Sequence, residues 1–258
     1  MRWDPAQYAR YAGERGRPFL DLVARIGHDA PRRVVDLGCG PGTLTELLAR
    51  RWPEAAIEGI DSSPEMIDRA AELTGDRLTF RMGDVADWQP PADVDVIVSN
   101  ATLQWVPRHQ QLFQRWAAGL PPGGWIALQV PGNFEAPSHG LMRNLALSAR
   151  WRAQLGEVLR HDDAVGTPST YAALLLHEGL TVDVWETTYL HVLQGVDPVL
   201  EWVRGTGLRP VLAALDTTDA AAFETEYADA LRRAYPPGPH GTLFPFRRIF
   251  AVAHRANG

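Results

Sequence analysis

The 258-residue chain contains no lysine, so all 25 of its basic residues are arginine. That absence removes mechanisms needing a side-chain amine: a Schiff base to pyridoxal phosphate, a P-loop, a lysine-assisted dehydrogenase. Cysteine is almost absent as well. Cys39 stands alone, which excludes a disulfide within the chain. No apolar run approaches the ~20 residues that cross a bilayer, and the opening Met1-Arg2-Trp3-Asp4-Pro5 has no apolar signal-peptide core. A cytoplasmic protein is expected. His139, His161 and His177 have no neighbour at metal-ligand spacing, so no metal is expected. The net charge of −6 opposes a broad phosphate-binding surface, which argues against nucleic acid and for a small-molecule substrate. A hydrophobic content of 45% over this length supports a buried core of one α/β domain carrying insertions.

What is present is organised around Val34-Val35-Asp36-Leu37-Gly38-Cys39-Gly40-Pro41-Gly42-Thr43. A β-branched run stops at an acid and enters a loop with glycine at every second position, which reads as strand, tight turn, helix start. The dinucleotide fingerprint G-x-G-x-x-G fails here because the third glycine comes one residue early. An acid at the strand tip favours a cofactor with a cationic end over a pyrophosphate, which Asp36 would repel. S-adenosylmethionine has such an end. Cys39, small and between two glycines, is expected to be there for fit. The stretch Asp36-Leu37-Gly38-Cys39-Gly40-Pro41-Gly42 resembles the first motif of the class I methyltransferases. That resemblance implies a Rossmann-like α/β fold with a mostly parallel, seven-stranded sheet.

Further acids follow at strand tips. Asp61 ends Ala55–Ile60 about one βα unit later, where a carboxylate accepts ribose hydroxyls. Ser62 follows it, Ser63 and Pro64 start a helix as N-cap and first residue, and Met66 packs on an adenine face or fills core. Asp84, between Gly83 and Val85 after the strand Leu78–Met82, accepts from an adenine amino group or is a solvated turn acid. The fourth strand, Val94–Ser99, lies beside the first, and Asn100-Ala101-Thr102-Leu103-Gln104-Trp105 leaves it on the ligand edge. These residues lack the Pro-Pro-aromatic signature of base-amine methyltransferases. After the fifth strand, Trp125–Val130, the regular pattern breaks. Helical blocks at about 132–170 and 197–235, the second holding two helices, form a cap, with strands at Thr181–Val192 and Phe246–His254. The cap holds His139, Arg143, Arg150, Arg152, Tyr171, Trp202, Arg204, Thr206 and Arg209, a supply of carboxylate partners. The aromatic and arginine-rich segment 1–18 is either a surface helix or a lid over the cofactor.

A narrower resemblance spans nearly the whole chain. Trp3-Asp4-Pro5, Tyr8, Tyr11, Glu14-Arg15 and Arg17-Pro18, then Gly59–Pro64, Asn100–Trp105 and Trp202-Val203-Arg204-Gly205-Thr206-Gly207-Leu208-Arg209-Pro210, are similar to the trans-aconitate 2-methyltransferase family. The resemblance implies methyl transfer from S-adenosylmethionine to a carboxylate of a tricarboxylate, leaving S-adenosylhomocysteine. The cofactor residues would be Asp36, Gly38, Gly40, Gly42, Asp61, Ser62, Met66, Gly83, Asp84, Val85, Asn100 and Ala101. Substrate positioning would fall to Tyr8, Arg15, Gln104, Trp105, His139, Arg143, Tyr171 and Arg209. A carboxylate is already ionised at pH 7, so no general base is required. Two rivals stand beside this: a methyltransferase for another small nucleophile, and a non-catalytic cofactor-binding module.

Overall fold

Strand β1 (Arg33–Leu37) takes the β-branched run before the glycines, and its last four residues are buried. Unbroken burial is what a central parallel strand needs, since helices cover both of its faces. With β2 (Ala56–Asp61), β3 (Leu78–Met82), β4 (Val96–Asn100), β5 (Trp125–Pro131), β6 (Thr181–Leu193), the two-residue β7 (Pro237–Gly238) and β8 (Gly241–His254) it forms one sheet. These elements come from a computed structural model that describes residues 12–159 and 164–257.

The sheet's main path runs β3-β2-β1-β4-β5-β8-β6, with β7 paired to β8 off the path. β1 pairs in parallel with β2 and β4, β2 with β3, and β4 with β5. This seven-strand path is the expected Rossmann-like class. Its order reverses at β1: the chain steps outward to β3, then returns to β4 on the other side. Loops leaving the carboxyl ends of β1 and β4 therefore diverge and open a crevice there.

Helices Thr45–Arg51, Pro64–Ala70 and Leu112–Gly119 lie between these strands in the chain. The last buries Leu112, Phe113, Trp116 and Ala117, residues one and four apart on a single face. They join Val35, Leu37, Ile97, Ile126 and Leu128 in the core, with Trp88 edge-on to Trp116 at 6.2 Å. Removing a fully buried ring of this kind costs about 3–5 kcal/mol.

The described chain separates into two compact units. The first holds the residues up to Val130, Val165–Glu186 and those from Ile249 onward; the second holds residues between Pro131 and Ala164 and Thr187–Arg248. Helices Pro137–Ala146, Arg152–Leu155, Pro198–Arg204, Arg209–Ala214 and Thr217–Ala234 lie in the second. The longest is capped by Asp216, which accepts from the backbone N–H of Thr218 and Asp219 at 2.9 Å each. Two features differ from expectation. The block expected to reach residue 170 closes earlier, because helix Pro168–His177 belongs to the first unit. The 197–235 block contains three helices rather than two, since Gly205-Thr206-Gly207 interrupts it and Pro210 restarts a helix near its first residue.

Helix Ala12–Val23 carries Phe19, Leu22 and Val23 into the core. Trp3, Tyr8 and Tyr11 lie outside the described residues, as does the side chain of Arg15. Among the described residues no helix is long and apolar enough to cross a membrane, and no cluster of His, Cys, Asp and Glu could hold a metal.

Candidate active site

A cavity of about 240 Å3 opens where the loops after β1 to β4 converge. Its wall brings together Gly38, Gly40, Asp61, Ser62, Met66, Asp84, Val85, Asn100, Ala101 and Trp105, with Pro41, Ala86, Thr102, Val106 and Pro107 between them. Gly42 and Gly83 are not on that wall.

The glycines of the first loop have different reasons to be glycine. Gly38 adopts φ +81°, and a Cβ there would fall 2.0 Å from Thr102 Oγ1, the hydroxyl that donates to the Gly38 carbonyl at 3.2 Å. Gly42 has φ +80°, and its missing Cβ makes room for the Phe80 ring, 2.7 Å from where that atom would be. Gly83 leaves the same kind of space for Ile60 at 2.8 Å. Gly42 and Gly83 thus have a packing reason to be glycine. Among the described residues nothing comes within 4 Å of the Cβ position of Gly40, which has φ +56°. Open space at a left-handed glycine leaves room for a ligand to meet the backbone.

Asp61 ties the first two loops together. Its carboxylate accepts from the Gly40 N–H and the Ser63 N–H, each at 2.9 Å. Burial raises its pKa, while those N–H groups and that of Ser62 pull it down. The carboxylate keeps acceptor capacity for a further donor. Ser63 precedes the helix as expected, but its hydroxyl donates to Glu65 at 2.9 Å instead of capping a backbone N–H. Asp84 is exposed, and one of its oxygens accepts from Ala86 N–H at 2.8 Å.

Asp36 stands behind the loop, buried, with the Thr45 hydroxyl donating to it at 2.6 Å. It lines a void of about 30 Å3 with Gly38, Cys39, Gly40 and Asn100, a space on the scale of one water. Burial pushes its pKa up to about 7; Thr45 opposes this and the charge of Asp61 adds to it. Burial also drives the Cys39 thiol far up, which leaves it inert. Asn100 lines both spaces, and its Oδ1 is buried with no hydrogen-bond partner among the described residues.

The segment after β4 departs from expectation at Gln104. Its Nε2 donates to the Ala101 carbonyl at 2.6 Å, and the residue is buried off the cavity wall. Ala101 needs that hold, because it adopts φ +55° without being glycine, a conformation that costs about 1–3 kcal/mol unless its surroundings fix it. The Ala101 N–H donates to Gln129 O at 2.9 Å. Trp105 does reach the wall. Tyr171, expected to position substrate, is instead fully buried in the core of the first unit, its hydroxyl 2.9 Å from His109 Nε2.

In the second unit His139 and Arg143 sit one turn apart on helix Pro137–Ala146, hence on one face. Ser138 Oγ lies 3.1 Å from His139 Nδ1, and His139 Nε2 comes within 3.3 Å of the Cβ position of Gly207, two residues before Arg209. Three other cap arginines are otherwise engaged. Arg204 pairs with Glu201 and, at 2.7 Å, with Glu224; Arg150 pairs with Glu226; Arg152 donates to the Leu147 carbonyl. Trp202 is buried against His191 at 4.7 Å.

Residues 9–182 match the methyltransferase domain family. The chain is 57% identical over 260 residues to trans-aconitate 2-methyltransferase of Streptomyces avermitilis, covering 98% of this chain and 97% of that one. The protein of the same name from Rhodococcus jostii is 53% identical, covering 97% and 98%. The chain belongs to the trans-aconitate 2-methyltransferase family. It is an S-adenosylmethionine-dependent methyltransferase. The fold also resembles that of the YcgJ protein from Bacillus subtilis, with a TM-score of 0.59 at 16% identity over 94% of this chain and 99% of that one. Phosphoethanolamine N-methyltransferase 2 of Haemonchus contortus, solved with S-adenosyl-L-methionine, gives 0.55 at 17% identity over 93% and 53%.

For a methyltransferase of this family the cavity fits its cofactor on three counts. Gly40 leaves the backbone open, Asp61 offers acceptors to a nucleoside sugar, and the unpartnered Asn100 Oδ1 is a buried acceptor suited to an ammonium donor. Thr45, Thr102 and His109 were not singled out from sequence. Only their long-range partners Asp36, Gly38 and Tyr171 give them a role.

Proposed function

We propose that this enzyme esterifies one carboxylate of trans-aconitate, producing a monomethyl ester and S-adenosylhomocysteine. The observation that supports the reading most is identity above half to enzymes of that name, over alignments that cover 97% or more of this chain. When bound, S-adenosylmethionine supplies a methyl group on a cationic sulfur, which a carboxylate oxygen displaces. Asp61 would accept the ribose hydroxyls, Asn100 and Asp36 would face the cofactor's cationic end, and Met66 and Val85 would pack on its apolar surface. Asp84 would use its remaining oxygen for the base.

The substrate oxygen needs no proton removed, since a carboxylate with a pKa of about 4 is ionised at neutral pH. What the protein must add is orientation, which is worth several powers of ten in rate when the reacting atoms are held at about 3–3.5 Å. Arg143, Arg209 and His139 are the proposed partners of the carboxylates not being methylated: His139 and Arg143 share one helix face, and Arg209 lies in the Trp202–Pro210 stretch that resembles the family. Trp105 is proposed to contact substrate from the cavity wall. Residues 1–18 would act as a lid; deleting residues 2–11 should abolish turnover while sparing most of the core's stability.

The test is incubation with methyl-labelled cofactor and a panel of di- and tricarboxylates. Label transferred to trans-aconitate in preference to citrate, cis-aconitate and fumarate supports the proposal, and preference for another acid overturns it.

A further inference from the structure

We propose that His109 and Tyr171 are positioning residues for the cofactor cavity, anchoring the end of the segment whose Trp105, Val106 and Pro107 form its wall. The inference rests on that cavity being the cofactor site, not on which acid is methylated.

The segment from Ala101 to His109 contains two of the described non-glycine residues with left-handed backbone, Ala101 at φ +55° and Arg108 at φ +54°. Such conformations persist only where neighbours over-determine them. At the start of the segment, Gln129 and Gln104 hold both backbone groups of Ala101. At its end, directly after Arg108, the anchor is His109. Gly166 N–H donates to Tyr171 Oη at 3.1 Å, and that oxygen lies 2.9 Å from His109 Nε2; with Nε2 as the acceptor, the Tyr171 proton makes the second bond. The Val106 carbonyl accepts the His109 backbone N–H at 3.2 Å and also favours a proton on the ring.

Burial keeps both groups neutral, moving His109 down to about 4 and Tyr171 up to about 12. The rings stack with centroids 5.9 Å apart, and Phe113 closes on both at 6.1 and 5.8 Å. Val106 is thus held by a residue that never touches the cavity. A plain core role would need none of this polarity: two apolar rings would fill the same space without two buried donors to satisfy.

The test compares His109→Phe, His109→Gln and Tyr171→Phe by calorimetric titration of S-adenosylhomocysteine, thermal melting, and the KM for each substrate. Loss of the anchor in His109→Phe and Tyr171→Phe should weaken S-adenosylhomocysteine about five- to twentyfold, as expected for one buried hydrogen bond. The cofactor KM should rise in step, with the KM for the acid and kcat little changed. Glutamine keeps an acceptor for the Tyr171 proton and should recover most of the affinity. Should Tyr171→Phe fail to fold, the Phe and Gln pair at position 109 decides. Affinities within twofold of the unaltered enzyme alongside lowered melting temperatures would overturn the inference. No binding even by the unaltered enzyme would remove the cofactor reading, and this inference with it.

Discussion

Replacing Asp36 by Asn removes one charge from a desolvated position while keeping the shape and an oxygen for the Thr45 hydroxyl that donates to it at 2.6 Å. In the folded protein burial, with the Asp61 charge adding and Thr45 opposing, lifts the Asp36 pKa from 3.8 to about 7. Between those values the folded state holds a proton that the unfolded state has lost. Stability therefore declines as pH rises from about 4 to about 7, and levels off above. The gap corresponds to at most about 4 kcal/mol. Because the adjoining void of about 30 Å3 can admit a water to the carboxylate, about 1–3 kcal/mol is the expected reading.

The assay is urea unfolding of both proteins at several pH values from 5 to 8.5. Groups common to the two cancel in the difference, so Asp36→Asn should gain on the unaltered enzyme as pH rises and hold a constant lead above about pH 7.5. Binding adds a second readout. A cationic ligand end near Asp36 favours its ionised form, so S-adenosylhomocysteine binding near pH 6.5 should release up to one proton from the unaltered enzyme and less from the variant. Calorimetry in buffers of different ionisation enthalpy counts those protons. A stability difference that stays the same from pH 5 to 8.5 would refute the reasoning, because it would mean Asp36 does not titrate in that window.

The other expectations concern the two loops and the cap. Asp61→Ala leaves the Gly40 and Ser63 N–H groups without their acceptor, so S-adenosylhomocysteine affinity should fall by about 1.5–3 kcal/mol; calorimetry finding it unchanged in a folded variant would remove Asp61 from the site. Gly40→Ala and Gly42→Ala share the left-handed strain, but only Gly42 also faces a ring. Melting temperature should drop further for Gly42→Ala, and cofactor affinity relative to stability should drop further for Gly40→Ala. Arg209→Gln should raise the KM for the tricarboxylate about 10-fold or more, the cost of one charge-assisted hydrogen bond, with little effect on an analogue lacking the gripped carboxylate. Arg204→Gln, already held by Glu201 and Glu224, should leave KM near normal. Equal losses for Arg209→Gln with both substrates would assign Arg209 to structure.

The parts legible in the sequence are those fixed by nearby residues. Val34, Val35 and Leu37 favour a buried strand because they are branched and apolar, and a left-handed turn after it favours glycine, so β1, its loop and the acids at the strand tips follow from local chemistry. What escaped was decided at long range. Tyr171 lies in a helix of almost uniformly apolar residues, Tyr171-Ala172-Ala173-Leu174-Leu175-Leu176, where no periodicity marks which face is buried, and its partner His109 is 62 residues away. Gln104 turned inward because Ala101 took a backbone conformation that alanine rarely takes, so no propensity could point to it. Gly42 also makes room for Phe80, two strands across, a demand that lies far off in the sequence. Arg204 and Arg209 are the same residue type five apart, and the pairing of Arg204 with Glu201 and Glu224 comes from the fold, not from its type. Strand tips line a cofactor edge because the fold puts them there. Whether a polar side chain meets substrate or a neighbour depends on the competing acceptors within its reach, which for Gln104, Tyr171 and Arg204 are protein groups.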